Sequence, residues 1–586
     1  MSAARRTSQP AVPLRPASAL RSVLAEGYGL RDLRADAAAG LVVGIVALPL
    51  SMALAIASGV PPQYGLYTAI VAGLVIGPLG GSRFQVSGPT AAFVVVLAPI
   101  SANFGLAGLL LATAMAGVVL LVLAVARLGR LIEFVPYPVT AGFTAGIAVV
   151  IATLQLKDFL GLSPSEWPEH WVERVGALAG ALPTARPPDL AVGIATLLVL
   201  VLWKRWNRTL PAPLAGLAFG ALFAAALAWW RPDAAATTID ARFGSVVDGI
   251  VRPGIPRAIP LPIAPWSLPG PGGAPLPFTW DTLRALAPAA FTIAVLGAIE
   301  SLLSAVVGDG MTRRKHDPDA ELFAQGIGNL AAPFFGGFAA TGAIARTATN
   351  IRAGARSPVS SVFHALFVLA AVLLLAPALG YVPMASLAAL LLVVAWNMSE
   401  ARHVSRMLRI APRSDVLVLL TCFGLTVLFD MVVAVSAGVM LAALLFMRRM
   451  AEVADVRLVA DPHRGPNPLP TDAVLYEIAG PLFFGAAQKA MSALHTVAPG
   501  TRTVVLDMRS VPVLDATGLV NLDSTADRLA ADGVALVLAG VQPGPLRTLG
   551  RAGWRTRRDH VSVRRSFEAG VEDAWARSET REPEAR

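Results

Sequence analysis

Apolar segments of about 15–25 residues recur between Ala38 and Met447, and each is close to the length that a helix needs to cross a bilayer. This repetition limits the possible folds more than any other feature of the chain. Only 15% of the residues are charged, whereas soluble domains carry about 25%. Alternating segments of about ten residues, the pattern of an outer-membrane barrel, do not occur. The sequence therefore predicts an α-helical polytopic membrane protein.

We predict fourteen membrane segments, which start near residues 38, 64, 88, 106, 138, 188, 212, 285, 322, 341, 359, 382, 414 and 431. Two of them, Pro89 to Ile100 and Gly342 to Ile351, are too short to cross a bilayer alone as helices. They are third and tenth in order, so each is the third member of a set of seven. Matched short segments of this kind indicate broken helices in two inverted repeats.

The basic residues predict the orientation, because short cytoplasmic loops collect lysine and arginine. With a cytoplasmic N-terminus, all the basic clusters fall on the cytoplasmic side: Arg83; Arg127 and Arg130; Lys204, Arg205 and Arg208; Arg313, Arg314 and Lys315; Arg352 and Arg356; Arg402, Arg406, Arg409 and Arg413; Arg448 and Arg449. The net charge of +10 therefore reflects membrane topology, and no nucleic-acid partner is expected. The N-terminal residues contain no hydrophobic core of a signal peptide. We expect both termini in the cytoplasm.

The chemistry of the chain changes after Arg449. The segments AVLYEIAG, TRTVVLDM and VALVLAG read as strands, and GLVNLDSTADRLAADG has a helical pattern. We therefore predict a cytoplasmic N-terminal segment (1–35), a transmembrane domain (36–450), a linker (451–472), a cytoplasmic α/β domain (473–575) and a disordered charged tail (576–586).

Glu300 is the only acid inside the apolar segment FTIAVLGAIESLLSAVVG. An ionised carboxylate at a helix centre costs roughly 2.5–3.5 kcal/mol on insertion scales, so chains that keep one use it to handle protons or ions or to pair with a buried cation. The strongest candidate cation at similar depth is Arg346, in TGAIARTATNI. One buried acid and one buried base indicate a transporter. Two interpretations of Arg346 stay open: it attracts an anion, or it pairs with Glu300 and holds two helices together.

The two short segments, FQVSGPTAAFVVV and GGFAATGAIARTATNI, each have an extended lead that contains glycine, followed by an apolar run. Helix N-termini that meet near the membrane centre offer free N–H groups and about half a positive charge each. Pro89 suits a first helical turn, where its missing N–H costs nothing. The pair predicts an anion site, with Arg346 one turn into the second helix. Alternatively, the glycines only allow helices to pack closely.

We predict no cofactor, no metal site and no enzyme chemistry. Cys422 is the only cysteine and lies in an apolar span, which excludes disulfides and cysteine metal sites within the chain. The seven histidines have no ligand spacing, and the GPGG stretch at 270–273 lacks the strand and helix of a phosphate-binding loop.

Several long motifs resemble the SulP anion permeases: DAAAGLVVGIVALPLSMALAIASGVPPQYGLYTA, GSRFQVSGPTAAF, FVPYPVTAGFTAGI, IESLLSAVVGDGMT and NLAAPFFGGFAATGAIARTATNIRAGARSP. The resemblance covers nearly the whole chain after residue 30. It implies seven-plus-seven inverted repeats, core and gate domains, a cytoplasmic STAS domain and a homodimer. The segments LLLVVAWNMSEA and VLFDMVVAVSAGVMLAALLFMRR are most similar to the bacterial proton-coupled C4-dicarboxylate branch.

The resemblance also implies which residues form the site. The anion site of the family falls on Ser87, Gly88, Pro89 and Thr90, and on Thr341, Gly342, Ala343, Ile344, Ala345 and Arg346. Sodium-coupled bicarbonate relatives have an aspartate where Glu300 stands, a hydroxyl where Ser304 stands and no arginine at position 346. A fixed positive charge beside the site disfavours sodium, so we expect proton coupling through Glu300 and Ser304. Leu50 departs from the family, since several relatives have a glutamine there.

In the predicted STAS domain, DATGL (515–519) resembles the loop that is phosphorylated in soluble anti-sigma antagonists, and Thr517 is the matching hydroxyl. Thr517 is either a regulatory site or only the N-cap of the helix that begins at Gly518. The domain could also bind a cytoplasmic partner.

The sequence thus predicts a secondary active transporter of the bacterial inner membrane that takes up a small anion with protons. The expected substrate is a C4-dicarboxylate such as succinate or fumarate. Sulfate or bicarbonate symport and anion exchange are alternatives on the same fold. A membrane-anchored STAS signalling protein is an alternative of another class.

Overall fold

The computed structural model describes residues 15–130, 135–168, 170–207, 210–247, 250–429, 431–453, 455–459, 462–463, 467–483, 487, 491, 498–554 and 559–579. The chain divides into two compact units, Met1–Val439 and Met440–Arg586.

The first unit is mostly helical, because apolar runs in a membrane must satisfy their backbone hydrogen bonds internally. Its elements are α1 (Ser18–Glu26), α2 (Leu30–Ala57), α3 (Pro62–Leu79), β1 (Ser87–Gly88), α4 (Ala91–Val125), α5 (Tyr137–Leu160), α6 (Trp171–Gly180), α7 (Pro187–Trp206), α8 (Ala212–Trp230), α9 (Ile239–Arg242), β2 (Gly244–Val247), β3 (Ile250–Pro253), α10 (Trp280–Thr312), α11 (Pro318–Ala331), β4 (Thr341–Gly342), α12 (Ile344–Arg352), α13 (Val359–Gly380), α14 (Met384–Met398), α15 (Ala401–Ile410), α16 (Arg413–Leu428) and α17 (Met431–Val453), which continues into the second unit.

Eight helical stretches in the described part of the chain are long and apolar enough to cross a membrane, with α14 and α15 counted together as Met384–Ile410. Each predicted segment start lies inside one of the elements above or within two residues of it. Helix α4 contains a break at Gly105, whose φ of 65° and ψ of −169° are not helical. This positive φ favours glycine, and it separates the predicted segment near 88 from the one near 106. The seven-plus-seven arrangement itself remains a prediction.

The helices of the first unit pack in two sets of neighbours. Helix α4 packs on α10 and α11, and α13 packs on α2 and α3. Helix α5 packs on α14 and α16, while α7 packs on α8 and α14. Polar residues outside the apolar runs fix helix starts: the Thr279 hydroxyl accepts a hydrogen bond from Thr282 N at α10, and Asp317 accepts one from Ala320 N at α11.

The second unit contains a five-stranded sheet. Its strands are β5 (Asp455–Leu458), β6 (Ala473–Ala479), β7 (Thr503–Ser510), β8 (Ala535–Ala539) and β9 (Val561–Val563), and its helices are α18 (Ala516–Ala531), α19 (Pro543–Arg551) and α20 (Phe567–Glu579). The strands lie in the order β5-β6-β7-β8-β9. Strands β6 to β9 are parallel and β5 is antiparallel to β6. The α/β expectation for this region is therefore confirmed.

The tail is ordered further than the sequence predicted. Helix α20 runs to Glu579, so it includes the first four residues of the segment for which we expected disorder. Side chains near the end of the helix hold it in place: Trp575 Nε1 donates to the carbonyl of Pro468, 2.8 Å away, and the Ser578 hydroxyl donates to Asp472, 3.0 Å away. Residues 580–586 lie outside the described residues.

Candidate functional site

The extended leads of the two short segments meet as a pair of strands; the first lead contains Ser87 and Gly88, and the second lead contains Thr341 and Gly342. Ser87 pairs with Gly342 and Gly88 with Thr341, in antiparallel register. Helices α4 and α12 follow these strands after two residues and one residue, so both begin at the strand pair. The predicted meeting of two helix N-termini is thus built on a direct backbone pairing.

The two glycines of this pair make room for polar side chains. A Cβ atom added to Gly88 would lie 2.2 Å from Nη1 of Arg346, and one added to Gly342 would lie 2.1 Å from Nε2 of Gln85. Both distances are far below van der Waals contact. Close helix packing alone does not explain these two glycines, because the groups that approach them are a guanidinium and an amide.

Glu300 and Thr90 connect α10 to the start of α4. Thr90 is the N-cap residue of α4, but its side chain makes no capping hydrogen bond; the hydroxyl donates to Oε2 of Glu300, 2.7 Å away. Glu300 is partly exposed. Pro89 comes before the N-cap, so our expectation that it lies in the first helical turn was wrong. The reason is that Thr90 and not Gly88 caps the helix.

Arg346 is buried behind the strand pair with 1% of its surface exposed. Its Nη2 donates to the carbonyl of Pro89 at 2.9 Å and to the Ser51 hydroxyl at 3.3 Å. Among the described residues, Nε and Nη1 have no hydrogen-bond partner, and no ion pair joins Arg346 to Glu300. The structural pairing that the sequence left open therefore does not form. A buried cation with unpaired N–H groups is costly unless an anion joins it.

Hydroxyl groups link α10 to both sides of the second lead. Ser301 and Thr341 share a hydrogen bond of 2.6 Å, and Ser301 also accepts from Gly342 N at 3.1 Å. Ser304 is fully buried and its hydroxyl lies 3.0 Å from that of Thr347. Thr347 in turn accepts from Val86 N at 3.3 Å. Ser304 therefore supports the first lead through Thr347 and makes no hydrogen bond to Glu300.

The remaining predicted residues lie at the start of α12. Ala343 caps the helix and donates its N–H to the carbonyl of Val86, 3.0 Å away. The side chains of Ile344 and Ala345 are exposed, in contrast to that of Arg346. One side of the first turn is therefore open, and the other carries the buried cation.

Sequence reasoning missed Glu321, which is 1% exposed. Its carboxylate accepts hydrogen bonds from Gly81 N and Ser82 N at 3.0 and 3.1 Å, and from Gln85 Nε2 and Gln325 Nε2 at 2.7 and 3.1 Å. Gln325 Nε2 also lies 3.1 Å from the Ser87 hydroxyl. This carboxylate thus anchors the first lead. The signal was available as a polar stripe in α11, where Glu321, Gln325 and Asn329 follow at intervals of four.

His364, on α13, is a second buried polar residue that the sequence did not single out. It has no exposed surface, and neither ring nitrogen has a hydrogen-bond partner among the described residues. His316 is different, since its Nδ1 lies 2.8 Å from Asp309 Oδ2. In the described part of the chain, no group of three or more histidine, cysteine or acidic side chains could hold a metal ion.

Thr517 lies in the first turn of α18 and its side chain is exposed. The N-cap of this helix is Asp515, whose Oδ1 accepts from Gly518 N at 2.7 Å. The alternative that Thr517 is the N-cap was therefore wrong. The cap lies two residues earlier, at Asp515, whose carboxylate accepts the hydrogen bond from the free N–H of Gly518.

Comparison with known proteins covers most of the chain. The profile of the sulfate permease family matches residues 33–422, and that of the STAS domain matches residues 468–557. "Putative sulfate transporter YvdB" of Bacillus subtilis (strain 168) is 41% identical over 530 residues, which cover 90% of this chain and 95% of that protein. "Bicarbonate transporter BicA" of Picosynechococcus sp. is 28% identical over 522 residues, which cover 85% of this chain and 87% of that protein.

Solved structures show the same fold. The transmembrane domain of a cyanobacterium bicarbonate transporter, BicA, is similar with a TM-score of 0.59 and 26% identity, over 71% of this chain and 98% of that one. The murine anion transporter Slc26a9 in its inward-facing state is similar with a TM-score of 0.81 at 18% identity, over 98% of this chain and 97% of that one.

Proposed function

This chain belongs to the sulfate permease family, and from that membership we propose that it is a secondary active transporter that takes up a small anion together with protons. The anion binds at the strand pair of Ser87–Gly88 and Thr341–Gly342. Arg346 attracts it, and Glu300 carries the proton. The open side of α12 at Ala343, Ile344 and Ala345 gives the anion its approach.

The unpaired donors of Arg346 carry this proposal. A buried guanidinium with two nitrogen atoms that lack partners needs an anion to complete it, and hydrogen bonds between charged groups are about twice as strong as neutral ones. The missing side chain of Gly88 makes room for Nη1 itself at the strand pair, because a Cβ atom there would lie 2.2 Å from it. The N-termini of α4 and α12 add positive potential at the same place.

The Thr90–Glu300 hydrogen bond supports a coupling role for Glu300. An ionised carboxylate only accepts hydrogen bonds, whereas a protonated one also donates. Protonation of Glu300 would therefore change the partner that the Thr90 hydroxyl can bind, directly at the N-cap of α4. Since Glu300 is partly exposed and carries no ion pair in the described residues, a proton can reach it and neutralise it. Ser304 contributes indirectly, by holding Thr347 and the first lead.

Alternating access in this proposal depends on the two inverted repeats. By rank in the two sets of seven, the counterparts are α2 and α10, α3 and α11, the part of α4 after Gly105 and α13, α5 and α14, and α7 and α16. The packing supports this relation, because the contacts of α4 with α10 and α11 have counterparts in the contacts of α13 with α2 and α3. In the same way, the α5–α16 contact has a counterpart in the α14–α7 contact. We propose that a core group of helices (α2, α3, α4, α10, α11 and α13) moves against a gate group (α5, α7, α8, α14 and α16).

For the substrate we propose a C4-dicarboxylate, because LLLVVAWNMSEA and VLFDMVVAVSAGVMLAALLFMRR resemble that branch of the family. Sulfate is the second candidate, favoured by the name of the relative that is 41% identical. We place the protein in a bacterial inner membrane as a homodimer with cytoplasmic termini. Its STAS domain would modulate transport through Thr517 or through a partner, and truncation after Glu452 should leave the order of substrate preference unchanged in reconstituted protein.

Uptake by proteoliposomes tests the proposed function. Labelled succinate, fumarate, sulfate and bicarbonate are offered with and without an inward proton gradient. We expect succinate, fumarate or sulfate to accumulate, and we expect this accumulation to require the proton gradient. Exchange that ignores the gradient would replace symport by anion exchange. Uptake of none of the four anions by folded, reconstituted protein would overturn the transport assignment.

A further inference from the structure

Helix α15 lies beside the C-terminus of α14 and the N-termini of α5 and α16. It follows the C-terminus of α14 after Ser399 and Glu400, and it precedes Pro412 and the N-terminus of α16. The ring of His403 lies edge-on to that of Tyr137, the first residue of α5, with centroids 5.4 Å apart. The Tyr137 hydroxyl also donates to Glu400 at 3.3 Å. The ends of α5, α14 and α16 therefore define one boundary of the bilayer, and α15 lies on it.

One face of α15 is a row of unpaired arginines. Arg402, Arg406 and Arg409 follow at intervals of four and three, which places them on the same side of a helix. All three are exposed, and none has a carboxylate partner among the described residues. Other arginines of the first unit do find acids, as Arg314 finds Glu26 and Arg242 finds Asp158.

The opposite side of α15 is apolar and only partly covered by protein. Val404 and Met407 are half-buried on this side, and Leu408 is 43% exposed. A short helix with arginines on one side and partly uncovered apolar side chains on the other is stable in the interface plane of a membrane, where the apolar side enters the acyl boundary.

We propose that α15 is an anionic-phospholipid-binding helix, with the phosphate of a phosphatidylglycerol-type head group held by Arg402, Arg406 and Arg409. A phosphate supplies the acceptor oxygens that the three guanidinium groups lack, and it lies at the depth of the interface. The acyl chains of the same lipid cover Leu408 and the uncovered parts of Val404 and Met407. The lipid thereby fixes the turn between α14 and α16. This binding does not depend on which solute the protein transports.

The test uses full-length protein in detergent, titrated with short-chain phosphatidylglycerol or phosphatidylcholine while its thermal unfolding midpoint is measured. Phosphatidylglycerol should raise the midpoint and phosphatidylcholine should not. The triple variant Arg402→Gln, Arg406→Gln, Arg409→Gln should lose at least about half of that rise, since each arginine contributes separately to binding an anionic surface. Added salt should weaken the effect in the wild type.

A matched control removes the same charge elsewhere. Arg547, Arg551 and Arg565 are exposed arginines of the second unit, and their replacement by glutamine should leave the phosphatidylglycerol effect intact. Glycerol 3-phosphate, an anionic phosphate ester without acyl chains, should not replace the lipid. An equal effect of phosphatidylcholine, an unchanged effect in the α15 triple variant, or full replacement by glycerol 3-phosphate would each overturn the proposal. The single variant Leu408→Ser provides a second measurement if the triple variant does not fold, and it should weaken the lipid effect without loss of charge.

Discussion

Two acids lie deep in the helical unit, and their surroundings differ in one decisive respect. Glu300 accepts a single hydrogen bond, from the Thr90 hydroxyl, and keeps part of its surface exposed. Glu321 accepts four hydrogen bonds, two of them from backbone N–H groups, and is 1% exposed. A carboxylate whose oxygen atoms accept four hydrogen bonds must give up one of them when it binds a proton, whereas one with a single rotatable partner can change its protonation at small structural cost. This contrast supports the proposed proton exchange at Glu300, while the hydrogen bonds of Glu321 hold the first lead in position.

The replacement Glu300→Gln should abolish accumulation of substrate that is driven by a pH gradient. Glutamine keeps the size of the side chain and can still accept from Thr90, so the fold should persist, but it cannot release a proton. The measurement is uptake into proteoliposomes with and without a pH gradient, alongside substrate counterflow, which should survive. Retained accumulation driven by the gradient would remove Glu300 from the coupling role.

The same replacement at the other acid, Glu321→Gln, should instead lower stability. The backbone N–H groups of Gly81 and Ser82 favour the new amide oxygen on their side, so the NH2 group faces the side-chain amides of Gln85 and Gln325. These amides must either turn over or lose their acceptor, and each group left unsatisfied costs about 1–3 kcal/mol. Membrane abundance and the midpoint of thermal unfolding measure this loss, and Glu300→Gln is the matched control. Equal stability of the two variants would break the distinction between the acids.

Arg346→Ala should weaken anion binding about tenfold or more, because charge-assisted hydrogen bonds each contribute about 1.5–3 kcal/mol. The cation has no acid partner in the described residues, so its removal leaves no buried carboxylate unpaired, and abundance should stay close to normal. Stabilisation of the purified protein by substrate is the measurement. Ser51→Ala removes one hydrogen bond of Arg346 but keeps its charge, and should have a smaller effect. Unchanged stabilisation by substrate in Arg346→Ala would exclude the binding role.

A third acid extends the comparison to the surface. The hydrogen bond from Arg83 holds the pKa of Glu26, in α1, below its ordinary value of 4.5, at about 2. Because the pKa of Glu26 is lowered in the folded state, the ion pair contributes fully to stability at pH values above about 4.5. This contribution is lost as the pH falls from about 4.5 to about 2. Glu26→Gln should therefore remove a small, salt-sensitive part of the stability at neutral pH and flatten its dependence on acid in that window. Thermal unfolding as a function of pH measures it, with Asp32→Asn in the adjoining helix as control.

Much of the helical unit followed from the sequence, because bilayer-length apolar runs leave few alternatives to helices. Glycine in the two short segments correctly indicated extended leads, and their meeting was expected from matching rank. The structure added what local patterns cannot contain. Glu321 binds backbone N–H groups 240 residues away in the chain, and no spacing rule describes such a contact.

The alternatives that failed also have physical reasons. The sequence left open a pair between Arg346 and Glu300, but two residues at similar depth can face different neighbours, and Arg346 turns to Pro89 and Ser51. The cap of α18 was misplaced because both Asp515 and Thr517 are good capping residues and only the backbone geometry decides between them.

The strand pair also limits how this protein can be made. The N–H of Val86 finds its acceptor at Thr347, which is 261 residues later in the chain, and Ser87 and Gly88 find theirs in the same distant segment. During synthesis the ribosome delivers the first lead long before the second. The early half must therefore wait in the membrane with backbone groups unsatisfied, or stay shielded by insertion factors, until the second half arrives. A polypeptide that stops before β4 should be recognised as unfinished and degraded, and co-expression of the two halves should rescue it.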